Sequence, residues 1–403
     1  MWVFVAAAAA VGLAAALWWV WQRRKDRDLI SPLPFLGCAL AFRRDPVGFL
    51  CGIAERGRNV TLNMAGLRMR LLVEPEDVAV FYRSKSLSSY EALRGLGFER
   101  SLGVLNVRVG GQLHSRILRA GRSFGPDTQQ RLRAAAEAAL ARHESGRELE
   151  LYRFCRELVV LFAAEEFAGA AVAQLPLFCE QYLDFQLAHE SAVARAMVLG
   201  CALAGPALDA AWRKRHQLAM RIAPVLASPH AEQLGEEYGS LERADLVLGL
   251  LTAATKNVAI GSASSLVFML QHGWRGEGEV AAAVAETLRL TCLSFGALRL
   301  ATDESGPECP RGLLLTVSHL ARGRSATLFA DPHRWNPARR PDVAFCFGAG
   351  LHACPGKTFA LESMAKIVAA VWPRLGALGR CSDLRFDRPS LADRDFAFAV
   401  MKA

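Results

Sequence analysis

The sequence has 10 cysteines but no Cys-x-x-Cys pair, which argues against a zinc ribbon or a thioredoxin-type redox motif. Their scatter through apolar surroundings reads as reduced, buried thiols in a reducing compartment. Charged residues are scarce, at 22% against 52% hydrophobic, so intrinsic disorder is excluded and there is apolar material for a large core. Lys+Arg 48 against Asp+Glu 39 gives a formal charge of +9, yet no basic block and little aromatic interleaving accompany it. A nucleic-acid partner is therefore not expected; an anionic membrane or an acidic protein face fits the excess better. Strand-like runs are few: 60–64, 69–73 and 313–317. Neither internal repeats nor low-complexity tracts appear beyond the alanine-rich start, and 403 residues suit one large enzyme domain or two to three smaller ones.

The amino terminus carries the only uncharged apolar run of spanning length. Met1 to Trp21 would reach about 30 Å as a helix, the thickness of a hydrocarbon core. Trp18, Trp19 and Trp21 mark an interface and Arg23-Arg24-Lys25 follow, which leaves the body cytosolic by the positive-inside rule. A cleaved signal peptide would need a basic n-region before the run, and only Met1 and Trp2 precede it. The expected organisation is a transmembrane anchor over 1–22, a basic and proline hinge over 23–34, and one catalytic body over 35–403.

The body reads as mostly helical. Apolar residues recur at helical spacing over 129–143, 149–167, 208–226 and 241–271. The last is nearly uncharged beyond its first turn, interrupted only by Lys256, so it should run through the middle of the domain. The expected fold class is mainly α with a small β-sheet beside the helical body.

One segment differs from all the others: Phe345-Cys-Phe347-Gly348-Ala-Gly350-Leu-His352-Ala-Cys354-Pro355-Gly356. Gly348 and Gly350 permit positive φ and a close backbone approach to something bulky. Pro355 suits the first position of a helix, making Cys354 its N-cap, where helix N–H groups favour a thiolate. The stripe Leu361, Met364, Ile367, Val368, Val371 continues that helix over 357–372. Cys354 is thus either a buried apolar thiol, the common state of a free cysteine, or a thiolate ligand to heme iron.

Here the sequence resembles a family. Phe347-Gly-x-Gly-x-His352-x-Cys354-x-Gly356 is similar to the heme-binding loop of the cytochrome P-450 superfamily. Upstream, Glu286-Thr-Leu-Arg289 resembles the family's Glu-x-x-Arg helix, and Asp331-Pro-His-Arg334-Trp335 its meander. The resemblance implies a helical body enclosing heme b behind one transmembrane helix, with Cys354 as axial thiolate and Phe347 packed beside it. It implies a buried ion network of Glu286, Arg289 and Arg334. It also makes His352 and Arg299, with His114 and Arg119 from an earlier stretch, candidates to bind the heme propionates.

The chain departs from the pattern on its long helix. Where many members carry an acid–alcohol pair that relays protons, this sequence has Ala253-Ala254-Thr255-Lys256-Asn257. Asn257 can still donate and accept hydrogen bonds, Lys256 could deliver protons itself, and Thr255 is the remaining hydroxyl. An asparagine here, with Pro34–Phe42 and Asp393–Met401, resembles the branch that holds prostacyclin synthase and the sterol 7α- and 12α-hydroxylases. The step from His272 to Glu286 is also short for the family.

The implied function is a membrane-anchored monooxygenase of the endoplasmic reticulum acting on a lipophilic, sterol- or lipid-like substrate. Its partners would be the lipid membrane and an acidic-faced reductase passing on electrons from NADPH. The alternative is an isomerase or dehydratase that rearranges a lipid peroxide without a reductase; a heme carrier or sensor is a third reading.

Overall fold

The computed structural model describes residues 28–33, 36–110, 112–113, 128–143, 149–235, 237–276, 279–291, 296–303, 310–350, 353–378 and 400–401. The expected anchor, half of the hinge, His114, Arg119, His352 and the stretch 393–399 lie outside the described residues.

Strand β1 (Leu29–Ile30) is followed by helices α1 (Ala39–Arg44) and α2 (Pro46–Ala54), then β2 (Val60–Met64) and β3 (Leu67–Leu72). Next come α3 (Pro75–Arg83), β4 (Leu87–Ser88), α4 (Ser89–Gly95) and α5 (Phe98–Leu102). The helical body comprises α6 (Thr128–His143), α7 (Leu151–Ala168), α8 (Ala170–Ala173), α9 (Phe178–Ile222), α10 (Pro229–Glu232), α11 (Ser240–Gln271) and α12 (Val280–Thr291). A short β5 (Leu149–Glu150) precedes α7. The chain then forms β6 (Ala297–Ala301), β7 (Leu314–Val317), α13 (His319–Gly323), α14 (Lys357–Leu378) and β8 (Val400–Met401).

The architecture is mainly α with a small mixed sheet, as the composition and periodicity led one to expect. The larger sheet runs β1-β2-β3-β7-β6-β4. In it β3 and β7 pair in parallel with Met69 opposite Leu314, while β6 and β7 pair antiparallel. The three strand-like runs of the sequence are β2, β3 and β7, at the sheet's centre.

Helix α11 is the axis of the body. It is long and apolar enough to cross a membrane by composition, yet most of it is buried against α7, α9, α12 and α14. Glu242 closes its start by accepting the Gly239 N–H at 2.9 Å, as an acid in a first turn should.

Helix α9 has two arms, because Gly200 at φ 78°, ψ 157° breaks the helical path. Periodicity showed only the second arm. The first is pinned to α11 by Tyr182, whose hydroxyl lies 3.1 Å from Thr255 Oγ1. The second is pinned by the buried Arg215–Asp245 pair and, to α5, by Arg100 with Asp209 at 2.6 and 2.7 Å.

Two buried histidines give the fold a definite acid response. His189 is bonded to Ser101 Oγ at 3.0 Å, and burial, with Lys256 and Arg215 adding, pushes its pKa down to about 3. His319 is bonded to the Tyr82 hydroxyl at 2.9 Å, and burial, with Arg322 and Arg299 adding, pushes it down to about 4. Both are neutral when folded, whereas the unfolded chain takes up protons near the ordinary value of about 6.5. Stability is therefore complete above that value and falls as pH drops below it, by up to about 1.4 kcal/mol per histidine per pH unit. Urea midpoints measured from about pH 7 to about pH 5 should fall more gently in His189→Gln than in the wild type. Parallel slopes in the two proteins would contradict this account.

Candidate functional site

The Cys354 loop owes its shape to two glycines. Gly348 and Gly350 sit at φ 70° and φ 65°. A Cβ on Gly350 would lie 2.2 Å from the Tyr82 carbonyl oxygen, so the loop passes against α3 too closely for a side chain. The turn closes with the Cys354 N–H donating to Phe347 O at 2.8 Å and the Ala353 N–H to Gly350 O at 3.2 Å.

The sequence placed Cys354 at the N-cap with Pro355 as the first helical residue. The structure corrects this: α14 begins at Lys357, and Cys354-Pro355-Gly356 form a turn before it. The N–H that reaches the sulfur is that of Gly356. Cys354 is exposed, yet enough protein surrounds it that burial raises the thiol pKa, with the Gly356 N–H acting in the opposite direction. Cys346 points away, its Sγ 3.7 Å from Leu288 O on α12. Phe347 is half-buried against the main core.

Behind the loop lies a buried ion network. Glu286 and Arg289, one turn apart on α12, are both fully buried. Arg289 Nε and Nη2 donate to the two Glu286 oxygens at 2.8 Å each. The other donors reach carbonyls: Nη1 to Gly323 O and to Pro332 O at 2.7 Å, Nη2 to Arg334 O at 3.2 Å. Glu286 Oε1 also accepts the Asn336 N–H at 2.9 Å and Arg339 Nε at 3.3 Å. The sequence reading gave Arg334 a side-chain role. The structure differs: Arg334 contributes only its carbonyl and its side chain is exposed, while Arg339 supplies the second guanidinium. The neighbouring Trp335 Nε1 donates to Thr287 Oγ1 at 3.0 Å. Three arginines follow Pro332 within a few positions, and nothing in their spacing says which one turns inward.

On α11, the three singled-out residues face three ways. Thr255 is buried, accepting from Gln186 Nε2 at 3.4 Å and donating to Leu251 O at 2.8 Å besides its contact with Tyr182. Lys256 turns to α9, its Nζ 3.2 Å from Glu190 Oε1, a partner that periodicity could not reveal. Asn257 and Ala253, one turn apart, are exposed on a helix that is otherwise buried around them. Arg299 on β6 is buried with its guanidinium over the Phe81 ring at 5.1 Å and its Nη1 on Leu298 O at 3.3 Å. Burial lowers its pKa, and among the described residues its Nε has no hydrogen-bond partner.

No protein-family model matches the chain. It is 33% identical over 103 residues to a cyclooctat-9-en-7-ol 5-monooxygenase of Streptomyces melanosporofaciens, covering 23% of this chain and 22% of that one. It is 29% identical over 169 residues to a 20-oxo-5-O-mycaminosyltylactone 23-monooxygenase of Streptomyces fradiae, covering 40% of each. The aligned stretches thus span well under half the length of these relatives. Among solved structures, the retinoic acid-bound cyanobacterial CYP120A1 matches with TM-score 0.64 and 18% identity, over 85% of this chain and 90% of that one. P450BioI, in complex with a hexadec-9Z-enoic acid-ligated acyl carrier protein, matches with TM-score 0.66 and 15% identity, over 90% and 98%. The chain has the cytochrome P-450 fold. The resemblance to that superfamily, read first from the Cys354 loop, is supported from sequence and structure alike.

The residues present fit the heme that this family implies. Cys354 offers an exposed sulfur beside a backbone donor, and Arg299 offers a buried cation whose Nε is unsatisfied, as an anionic propionate would require.

Removing Arg289 would strand a buried carboxylate, so Arg289→Leu should cost about 3–5 kcal/mol and most of the bound heme. Arg339→Ala should be clearly destabilising, and Arg334→Ala should stay within about 0.5 kcal/mol of wild type. Thermal unfolding of the three variants checks the order. A larger loss in Arg334→Ala than in Arg339→Ala would show the wrong arginine in the network.

Proposed function

We propose that the protein is a heme-thiolate monooxygenase that inserts oxygen into a lipophilic substrate. The observation that carries this is the Cys354 sulfur, exposed at the end of a glycine turn and facing the Gly356 N–H. With heme bound, a thiolate ligand would donate electron density to the iron and favour cleavage of the oxygen–oxygen bond. The remaining tasks fall to the chain itself. The glycine turn holds the sulfur against a backbone donor, and the Glu286–Arg289 network fixes the loop from behind. Arg299 would supply a buried cation for the group's carboxylates, and the Ala253–Asn257 face of α11 offers a mostly apolar surface with one amide. The names of both structural neighbours include lipophilic acyl or retinoid ligands, and both sequence relatives are named monooxygenases, which supports the substrate class.

Residues 1–22 would anchor this body in the endoplasmic reticulum membrane, with the catalytic part cytosolic and electrons arriving from NADPH through an acidic-faced reductase. The exposed Asn257 favours a second reading, because an amide on a wall without an acid suits rearrangement of a lipid peroxide. That would be the chemistry of the prostacyclin synthase branch rather than of the sterol hydroxylases.

Two experiments test these readings. Cys354→Ala should lose the red-shifted Soret band of the ferrous carbon monoxide complex, and Cys346→Ala should keep it; the opposite pattern would move the ligand to Cys346. Turnover of a lipid panel, including lipid peroxides, with and without reductase and NADPH then separates the activities. Product formed only with electrons supports monooxygenation, and product formed from peroxides without electrons supports rearrangement.

A further inference from the structure

Two buried side chains beside Tyr82 each keep a polar atom without a partner among the described residues: Arg299 at Nε and His319 at Nδ1. Arg299 is 4% exposed, and among the described residues no carboxylate pairs with its guanidinium; the titratable group that acts on it is the Tyr82 phenol. His319, the first residue of α13, is 3% exposed. Its Nε2 lies 2.9 Å from the Tyr82 hydroxyl, so Nδ1 is left on the other edge of the ring. The charged groups that act on it are Arg322 and Arg299, both cations.

The fold brings these groups to one place. Arg299 stands opposite Leu315, on the sheet face where Leu315 and Val317 pack with Phe81 and Tyr82 of α3. The strand carrying those two residues runs on into α13, which begins with His319. Tyr82 is also where α3 meets the Cys354 loop, because its carbonyl oxygen occupies the space that a side chain on Gly350 would need. A buried guanidinium among neutral and cationic neighbours calls for an anion, and an orphaned buried nitrogen calls for a partner. A carboxylate meets both needs, since its two oxygens can accept from two donors.

We propose that His319 is a second donor to the heme carboxylate that Arg299 takes up, and that Tyr82 is the positioning residue that fixes its tautomer. This rests on the heme-thiolate reading above. The Tyr82 O–H donates to Nε2, the single ring proton stays on Nδ1, and the Nδ1–H donates to a carboxylate oxygen. The ring stays neutral in this arrangement, as burial beside two arginines already holds it. His319 thereby joins the residues that the motif pattern names for this group, His352, Arg299, His114 and Arg119. Spacing could not reveal it, because its role is defined by Tyr82 and Arg299, both distant in sequence.

Heme release from the holoprotein to excess apomyoglobin, followed in the Soret region, tests this without turnover. The ferrous carbon monoxide spectrum comes first: a wild type without the red-shifted band would overturn the heme-thiolate reading, and this inference with it. With the band present, His319→Leu should release heme about ten- to a hundredfold faster than the wild type, as expected for a lost bond to a charged acceptor. Two amides separate the ring nitrogens. The amide of His319→Asn reaches about as far as Nδ1 and should recover much of the loss. That of His319→Gln reaches about as far as Nε2, keeps the contact with Tyr82, and should release heme nearly as fast as His319→Leu. Tyr82→Phe should fall between. The reverse order, with His319→Gln like the wild type and His319→Asn like His319→Leu, would show a purely structural contact and overturn the proposal. Protein reconstituted with iron protoporphyrin dimethyl ester, whose carboxylates are masked, gives the second measurement. Wild type and His319→Leu should release the ester equally fast; the same gap as with native heme would place the histidine's role in packing and overturn the proposal. If His319→Leu does not fold, the two amide variants carry the comparison, and native heme released from His319→Gln at the wild-type rate would equally overturn it.

Discussion

The Arg289 guanidinium has five N–H donors in one plane, and the structure uses them to join three pieces of chain. Two bonds go to Glu286 on its own helix, and the others reach Gly323 at the end of α13 and the carbonyls of Pro332 and Arg334 in the meander. A buried charge pair is a weak source of net stability, because desolvation opposes the attraction. Its value here is positional. From the meander the chain leads through Asn336 and Arg339, both bonded to Glu286, into the turn that ends at Phe347. From α13 a second route runs through His319 to the Tyr82 hydroxyl, and the Tyr82 carbonyl lies where a side chain on Gly350 would stand. Both routes end on the loop that presents Cys354.

That arrangement accounts for the shape of the candidate site. The loop needs rigidity from outside, because its glycines contribute none of their own. The Gly356 N–H at the sulfur is one donor against the desolvation that raises the thiol pKa. A metal ion bound there would supply the charge that favours the thiolate, so the site is completed by its ligand. Helix α11 can be nearly uncharged because α9 brings the polar partners to it: Tyr182 and Gln186 for Thr255, Glu190 for Lys256.

Much of this was legible in the sequence, and the failures have physical causes. Helix α11 declared itself through length and an apolar surface on all sides, and β2, β3 and β7 through short apolar runs. Strand β6 went unseen because its pattern is inverted: Arg299 and Ala301 point inward, while Leu298 and Leu300 are only half-buried. The first arm of α9 was hidden because its inward face carries Tyr182, Gln186, His189 and Glu190, polar residues that pair only once α11 and, for His189, α5 lie against them. The motif residues Glu286, Arg289 and Cys354 could be located by spacing alone. Arg339 and Glu190 could not, since each is defined by a partner distant in sequence.

The central claim is that Arg289 holds the Cys354 loop in place from both sides. Hydrogen–deuterium exchange of the holoprotein, comparing wild type with Arg289→Lys, tests it most directly, since lysine keeps the charge but loses the planar fork. The account predicts faster exchange in the meander (330–339) and in the Cys354 loop (344–356) together, with α6 unchanged. Faster exchange confined to the meander, with the Cys354 loop as protected as in the wild type, would contradict it.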